Sequence, residues 1–300
     1  MKRKVCETRL QILIADIRKG VISINKRKSN ILCSRLESIE ELIGLNDLKN
    51  FVCDLFYFYA ADLPCENQFR NISITGKPGC GKTEASIRIG NLLQYLVFNC
   101  MKPIRTLTRA DLIGQVLGET AMKTSFALND NNNRCVFIDE VYALGNSNNE
   151  KDIYSKECID TICAFLSENI STSCMIIAGY ANATNECFFA QNEGLKRRFP
   201  FTFEMSDYTC EELLEIFKLK TRKFVVNGHS DILEHFKELR KRDKDFGAAE
   251  VLAFVNQLLL VHSAEVCRNN SQRTNISLQS VMASMRTNEK TEETHLSMYM

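Results

Sequence analysis

The sequence lacks an excess of either charge, since it has 38 lysines and arginines and 37 aspartates and glutamates, and its net charge is +1. A chain with so little net charge has no overall electrostatic field to attract nucleic acid or a membrane surface. The sequence also lacks any apolar run that approaches the roughly 18 residues of a membrane span. Neither a membrane protein nor a nucleic-acid-binding protein is therefore the expected class.

The thirteen cysteines include no C-x-x-C pair. Because that pair marks most zinc ribbons and redox dithiols, neither kind of site is expected. No signal peptide is recognisable, which favours a reducing compartment with free thiols over a disulfide framework. We therefore predict a soluble protein of the cytoplasm or of an organelle stroma.

Residues 1–36 are predicted to form a basic helical extension. Within it, four apolar residues recur at helical spacing: Leu10, Leu13, Ile14 and Ile17. The surrounding lysines and arginines allow two interpretations, an arm for nucleic acid or an acidic partner, and the solvated face of a docking helix. The second is preferred because no aromatic residue is interleaved with the charges.

Strand and helix patterns alternate through residues 37–206. The predicted strands are residues 72–74, 104–109, 135–139, 174–179 and 201–205. Such alternation is typical of a parallel sheet with helices on both faces, so the fold class is α/β with a five-stranded parallel core. From residue 207 the strand patterns stop. Residues 207–267 are predicted to form a small helical lid domain and residues 268–300 a polar, flexible tail.

A glycine-rich loop follows the first predicted strand. GKPGCGKT fits the phosphate-loop pattern G-x-x-x-x-G-K-[ST], with a strand before it and a helix after it. Its glycines let backbone N–H groups approach phosphates, and the helix directs its positive end at the anion. Lys82 would reach the β- and γ-phosphates, and the Thr83 hydroxyl would bind Mg²⁺. The predicted nucleotide-binding residues of this loop are Gly76, Lys77, Pro78, Gly79, Cys80, Gly81, Lys82, Thr83 and Glu84.

A second motif supports the first. CVFIDE is an apolar strand that ends in two carboxylates, Asp139 and Glu140. Acids at the carboxyl end of a parallel strand lie beside the ligand crevice of such sheets. We expect Asp139 to hold Mg²⁺ and Glu140 to activate the water that attacks the γ-phosphate. A GTPase would also need an N-K-x-D motif after the loop, and the sequence has none, so ATP is the expected nucleotide.

With these motifs the sequence resembles an AAA+ ATPase, and within that superfamily the CbxX/CfqX branch, which includes the red-type rubisco activase and type VII secretion ATPases. The resemblance runs from about residue 39 to residue 203 and continues more weakly to about residue 260. The segments that carry it are LIGLNDLK, LTRADLIGQVLGETAMKT, FIDEVYALGNSNNEKDIYSKECIDTICAFLSEN, IIAGY and NEGLKRRF.

The resemblance implies a homo-oligomeric ring, usually a hexamer, with ATP at the subunit interface. It assigns Arg198 as the arginine that reaches the neighbouring subunit's ATP, with Arg197 as a second candidate. It also implies that residues 42–49, including Ile43 and Gly44, line the adenine pocket. A polar sensor at the end of the fourth strand would be Tyr180 or Asn182.

Two positions depart from the family pattern. Val116 stands where relatives have an aromatic pore-loop residue, which offers less apolar area to a substrate chain. Glu250 stands where relatives have an arginine that senses the γ-phosphate. Since a carboxylate there would repel the phosphate, we expect either that Glu250 points elsewhere or that hydrolysis is slow.

The leading hypothesis is an Mg²⁺-dependent, ATP-hydrolysing ring ATPase that remodels a protein partner. A nucleotide-switched scaffold with little turnover is the first alternative. A nucleic-acid motor or loader that uses the basic N-terminal arm is the last, because the net charge is near zero. Fold and ATPase motifs do not identify the client protein.

Overall fold

A computed structural model of the chain describes residues 7–22, 26–61, 68–116, 118–130, 133–145, 152–269, 273–277 and 279–285. These residues form two compact units. The first unit contains the described residues up to Lys77 together with Gly81–Ser206. The second contains Pro78–Cys80 and the described residues from Asp207 onward.

The first unit is built on a five-stranded sheet, which confirms the predicted α/β class. Its strand order is β2-β3-β4-β1-β5, and every pairing is parallel. All seven residues of the central strand β4 are buried, as expected of a parallel strand with both faces covered. The strands are β1 (Ile72–Thr75), β2 (Arg105–Leu107), β3 (Arg134–Ile138), β4 (Ser173–Gly179) and β5 (Phe201–Glu204).

Helices of the first unit precede the sheet and connect its strands. Two 3₁₀ turns, Val141–Leu144 and Phe189–Gln191, lie among them. The α-helices are α1 (Arg9–Lys19), α2 (Lys26–Glu40), α3 (Asn46–Ala60), α4 (Lys82–Phe98), α5 (Arg109–Leu112), α6 (Glu119–Asn129), α7 (Ile153–Glu168), α8 (Ala181–Cys187) and α9 (Leu195–Arg198).

The N-terminal helix α1 is packed into the first unit against α2 and α3. The four apolar residues that predicted it are all buried. Two of its arginines form ion pairs, Arg9 with Asp54 at 2.5 Å and Arg18 with Glu37. These contacts favour the docking-helix interpretation over a nucleic-acid arm. A boundary at residue 36 does not coincide with a break in structure, because α2 continues through it.

The second unit is helical, with α10 (Cys210–Lys220), α11 (His229–Arg242) and α12 (Ala248–Asn269). A short parallel pair joins β6 (Val225–Val226) to β7 (Asn275–Ile276). The predicted flexible tail therefore begins too early, since β7 lies within it and Ile276 and Val281 are buried. The polar composition around these two apolar residues concealed them. The rest of the predicted tail, from residue 286, lies outside the described residues.

Helix α12 is apolar enough to cross a membrane by length and composition alone, with a mean hydropathy of 1.3 over an 18-residue stretch within Ala248–Arg268. A core helix passes the same test, so one such helix is weak evidence for a membrane span. Val251, Phe254 and Leu258 are buried in the second unit, where α12 packs against α10. Of the apolar stretch, 28% is buried, and these residues form the packed side of α12.

Asn71 links two parts of the first unit. Its side chain is buried, donates from Nδ2 to the Arg198 carbonyl oxygen at 2.7 Å, and accepts from the Met175 N–H at 2.8 Å. Asn71→Ala would leave one buried acceptor and one buried donor unpaired. We expect the free energy of unfolding, measured by urea denaturation, to fall by about 2–4 kcal/mol.

The control for this variant is Asn50→Ala on the exposed face of α3. Because alanine has the higher helix propensity, this change should be neutral or stabilising by less than about 1 kcal/mol. Equal stability of the two variants would contradict the linking role of Asn71.

Candidate nucleotide-binding site

The glycine loop joins β1 to α4, as the motif predicts. Gly79 and Gly81 have φ angles of 70° and 86°, in the left-handed region that favours glycine. Gly79 is also close to other backbone, since a Cβ added to it would lie 3.2 Å from the Ala249 nitrogen in the second unit. Helix α4 begins at Lys82, directly after Gly81. Strand, loop and helix therefore follow one another in the order that the motif predicts.

The Lys82 ammonium lies across this loop. Its Nζ donates to the carbonyl oxygens of Gly76 at 2.9 Å and Lys77 at 2.6 Å. The same atom is 4.8 Å from the centre of the Tyr180 ring, within cation–π range. A phosphate in the loop would compete with these carbonyls for the ammonium.

Thr83 and Asp139 meet at the carboxyl edge of the sheet. The Thr83 hydroxyl donates to Asp139 Oδ2 at 2.6 Å. Two adjacent oxygen ligands suit Mg²⁺, which binds few protein groups and keeps several waters. The described part of the chain contains no group of three or more His, Cys, Asp or Glu residues arranged for a metal ion. The residues present therefore fit a Mg²⁺ bound mainly by nucleotide and water.

Glu140 follows Asp139 and is exposed. Its φ of 49° places it in the left-handed region, which is uncommon for a residue with a side chain and often occurs at functional sites. Its N–H donates to Asp139 Oδ1 at 2.9 Å. The backbone turn thus fixes the metal-side carboxylate while leaving the Glu140 side chain accessible.

Tyr142, which sequence reasoning missed, stacks on Tyr180. The ring centres are 5.1 Å apart with an interplanar angle of 19°. Burial, followed by the Glu140 charge and Tyr180, raises the pKa of Tyr142, so its phenol stays neutral beside the Glu140 carboxylate. Gly179 gives the ring room, because a Cβ there would lie 3.1 Å from Tyr142 Cδ1. The available signal was an aromatic residue two positions after Glu140.

The two sensor candidates differ in position. Tyr180 lies beside Lys82 and Tyr142. Asn182 is exposed on α8. The geometry therefore favours Tyr180.

The two arginine candidates also differ. Arg198 donates to Ser167 Oγ from Nε at 2.8 Å and from Nη2 at 2.5 Å. It also donates to the Gly194 carbonyl oxygen at 2.7 Å and lies over the Phe69 ring. Arg197 is exposed on the same short helix. Within the chain, Arg198 is thus held by internal bonds and Arg197 faces outward.

Ile43 and Gly44, the predicted adenine-lining residues, lie in the turn between α2 and α3 and are half-buried. Gly44 and Leu45 have positive φ angles of 63° and 52°. The turn lies near α4, because Arg88 of that helix donates to the Ser38 carbonyl oxygen. This segment is therefore close to the helix that begins at the glycine loop.

Glu250 points back toward the start of its own helix. Its Oε2 accepts from the Gly247 N–H at 2.8 Å, where the helix dipole favours a negative charge. This bond orients the Glu250 carboxylate toward the first turn of α12. Nearby in the second unit, Pro78, Cys80, Tyr208, Phe246 and Gly247 line a small cleft. Burial raises the pKa of Tyr208 to about 12, so its phenol is neutral.

Comparisons with known proteins agree with this geometry. Residues 72–207 match the family described as "ATPase family associated with various cellular activities (AAA)". A cfxQ-like protein of Acanthamoeba polyphaga mimivirus is 32% identical over 271 residues, covering 88% of this chain and 66% of that protein. The CfxQ homolog of Pyropia yezoensis is 31% identical over 214 residues, covering 68% of this chain and 71% of that protein.

A chloroplastic ribulose bisphosphate carboxylase/oxygenase activase of Cyanidioschyzon merolae is 29% identical over 214 residues, covering 69% of each chain. Among solved structures, a single-residue mutant of RuvB from Thermotoga maritima superposes with a TM-score of 0.58 at 17% identity, covering 83% of this chain and 72% of that one. The likeness to RuvB concerns the fold alone. The chain spans slightly less than two thirds of the length of the mimivirus relative. On these matches, the chain belongs to the CfxQ/CbbX family of AAA+ ATPases.

Proposed function

We propose that this chain binds ATP with Mg²⁺ and hydrolyses it. The observation that carries the proposal is the 2.6 Å hydrogen bond between Thr83 and Asp139. It brings the glycine loop and the acidic end of β3 to one point, as a shared nucleotide requires. Glu140 extends from the same end of β3, one residue further along the chain.

Each residue then has a physical role. The N–H groups of the glycine loop and the start of α4 bind the phosphates, and Lys82 exchanges its carbonyl partners for phosphate oxygens. Thr83 and Asp139 would hold Mg²⁺, which would supply neutralisation of the phosphate charge. Glu140 accepts a proton from water as the water oxygen bonds to the γ-phosphorus. The bond from that phosphorus to the β–γ bridging oxygen breaks, giving ADP and phosphate.

Two substitutions separate binding from hydrolysis. Lys82→Ala removes the cation of the loop, so ATP affinity measured by calorimetry should fall at least about 10-fold. Glu140→Gln keeps the phosphate contacts but removes the base, so affinity should stay within a few fold while phosphate release falls by about 100-fold or more.

Matched controls are Lys156→Ala and Glu168→Gln, two exposed positions on α7, which should leave both quantities unchanged. Full ATP turnover in Lys82→Ala would refute the site. Phosphate release by the unmodified protein no faster than by Glu140→Gln would instead favour the nucleotide-switched scaffold.

We further propose a homo-oligomeric ring in which Arg198 reaches the neighbour's ATP, with Arg197 as the second candidate. Arg198 must then exchange its bonds to Ser167 and Gly194 for phosphate contacts on assembly. This exchange matches a guanidinium that is pre-positioned by its own subunit, and phosphoryl transfer gains from such a charge in trans.

Mixing two inactive variants tests the shared site. Glu140→Gln retains the arginine and Arg198→Ala retains the base, so an interface between them contains one complete site. The mixture should show phosphate release well above that of either variant alone. If mixing restores nothing with Arg198→Ala but does so with Arg197→Ala, the finger is Arg197. No recovery with either arginine variant would refute a site shared between subunits.

A protein partner is the third part of the proposal. The loop that carries Val116, which is 63% exposed, continues into α6, where Met122 and Phe126 are 75% and 76% exposed one turn apart. Large apolar side chains rarely cluster in solvent on a monomer without a binding role. We propose that these three residues contact an extended segment of the partner protein, with Phe126 supplying the aromatic area that Val116 lacks.

The Glu140→Gln variant in ATP should retain the partner, and adding Met122→Ala with Phe126→Ala should abolish the retention without changing ATP affinity. The control is Met101→Ala, an exposed methionine outside this surface, added to the same background. Equal retention by all three proteins would exclude the α6 surface as the contact.

A further inference from the structure

Glu40 connects three helices at the turn that contains the predicted adenine-lining residues. We infer that the N-terminal helix α1 is a positioning element for adenine binding, and that it acts through Glu40 as a positioning residue. This inference rests on the proposed ATP site and on the adenine pocket at Ile43 and Gly44 that the family resemblance implies.

On one side, Glu40 receives the start of α1. The Thr8 hydroxyl and Gln11 Nε2 donate to Glu40 Oε1 at 3.1 Å and 3.0 Å. Thr8 and Gln11 also form the capping box of α1, so the carboxylate lies at the positive end of that helix. The first turn of α1 is thus both capped and attached to the end of α2.

On the other side, Glu40 is paired with Lys49 of α3. Lys49 Nζ donates to the Glu40 carbonyl oxygen at 2.9 Å and lies 3.6 Å from Glu40 Oε2. The Lys49 side chain is only 8% exposed and the Glu40 side chain 18%. Because removing one partner of a buried ion pair leaves the other charge uncompensated, this pair fixes the distance between the end of α2 and the first turns of α3.

A third attachment comes from α4. Arg88 donates to the Ser38 carbonyl oxygen, lies 3.8 Å from Glu41, and is itself oriented by Glu84 at 2.7 Å. Arg88 is six residues after Lys82, which places it about 9 Å along the helix from the phosphate loop. The end of α2 is therefore attached to the same helix that binds the phosphates.

The turn held between these attachments is conformationally unusual. Gly44 and Leu45 are consecutive residues with positive φ, and for leucine this conformation is strained. Such a turn persists only when its surroundings determine it. Without the contact from α1, the Glu40 carboxylate loses two donors, and the turn that presents Ile43 and Gly44 loses one of its three attachments.

The consequence is specific to the base of the nucleotide. The phosphate contacts come from the glycine loop and the start of α4. The bonds between α1 and Glu40 do not involve either of these elements. Weakening the α1 contact should therefore reduce affinity for ATP while leaving affinity for inorganic tripolyphosphate unchanged. A general loss of stability would reduce both.

The test compares Mg-ATP with Mg-tripolyphosphate by calorimetry in the full chain. The double variant Thr8→Ala/Gln11→Ala should bind ATP about 5- to 10-fold more weakly and bind tripolyphosphate within twofold of the unmodified protein. Thr8→Ser retains the hydroxyl and should retain ATP affinity. Arg18→Ala, which removes the exposed pair with Glu37, should change neither.

Each other result has a defined meaning. Unchanged ATP affinity in the double variant, or an equal loss for both ligands, would overturn the positioning role of α1. If the unmodified protein bound ATP no better than tripolyphosphate, no adenine pocket would be present and the inference would fail while the phosphate site stood. If the unmodified protein bound neither ligand, the proposed ATP site itself would fail.

Discussion

The contact between Thr83 and Asp139 depends on the register of the parallel sheet. Strand β4 lies between β1 and β3, and its Ile177 is the register partner of both Ser73 and Ile138. Strands β1 and β3, which flank β4, therefore end within two residues of each other, at the same edge of the sheet. A shift of one residue in either pairing would move a whole set of side chains to the opposite face. The meeting of loop and acid is thus set by the buried core of β4.

Much of the fold could be predicted because parallel strands buried on both faces are continuous apolar runs. The run that became β3 was expected at residues 135–139 and lies at Arg134–Ile138. Other elements carry no such local signal. Strands β6 and β7 have two residues each, and their pairing depends on neighbours that are distant in sequence. The predicted boundary at residue 36 falls inside helix α2, whose buried residues continue from Leu32 to Ile39.

The candidate site shows a similar division between position and orientation. Motif spacing was enough to predict that Lys82, Thr83 and Asp139 lie at one edge of the sheet, because the backbone topology determines their position. The direction of a long side chain depends instead on the nearest available partner. Glu250 turns to the Gly247 N–H, and Arg198 turns to Ser167. The Glu250 bond follows a local capping pattern, whereas Ser167 is 31 residues from Arg198 and no local pattern specifies that pairing.

The ring of Tyr180 lies between Lys82 and Tyr142. It contacts the Lys82 ammonium and also stacks on the ring of Tyr142, whose neutral phenol lies beside Glu140. If a phosphate draws Lys82 away from the Gly76 and Lys77 carbonyls, Tyr180 loses or changes its cation partner. The two rings are stacked 5.1 Å apart, so a movement of Tyr180 would change its contact with Tyr142. Lys82 and Glu140, the residues proposed to bind phosphate and to act as the base, are therefore linked by packing through Tyr180 and Tyr142.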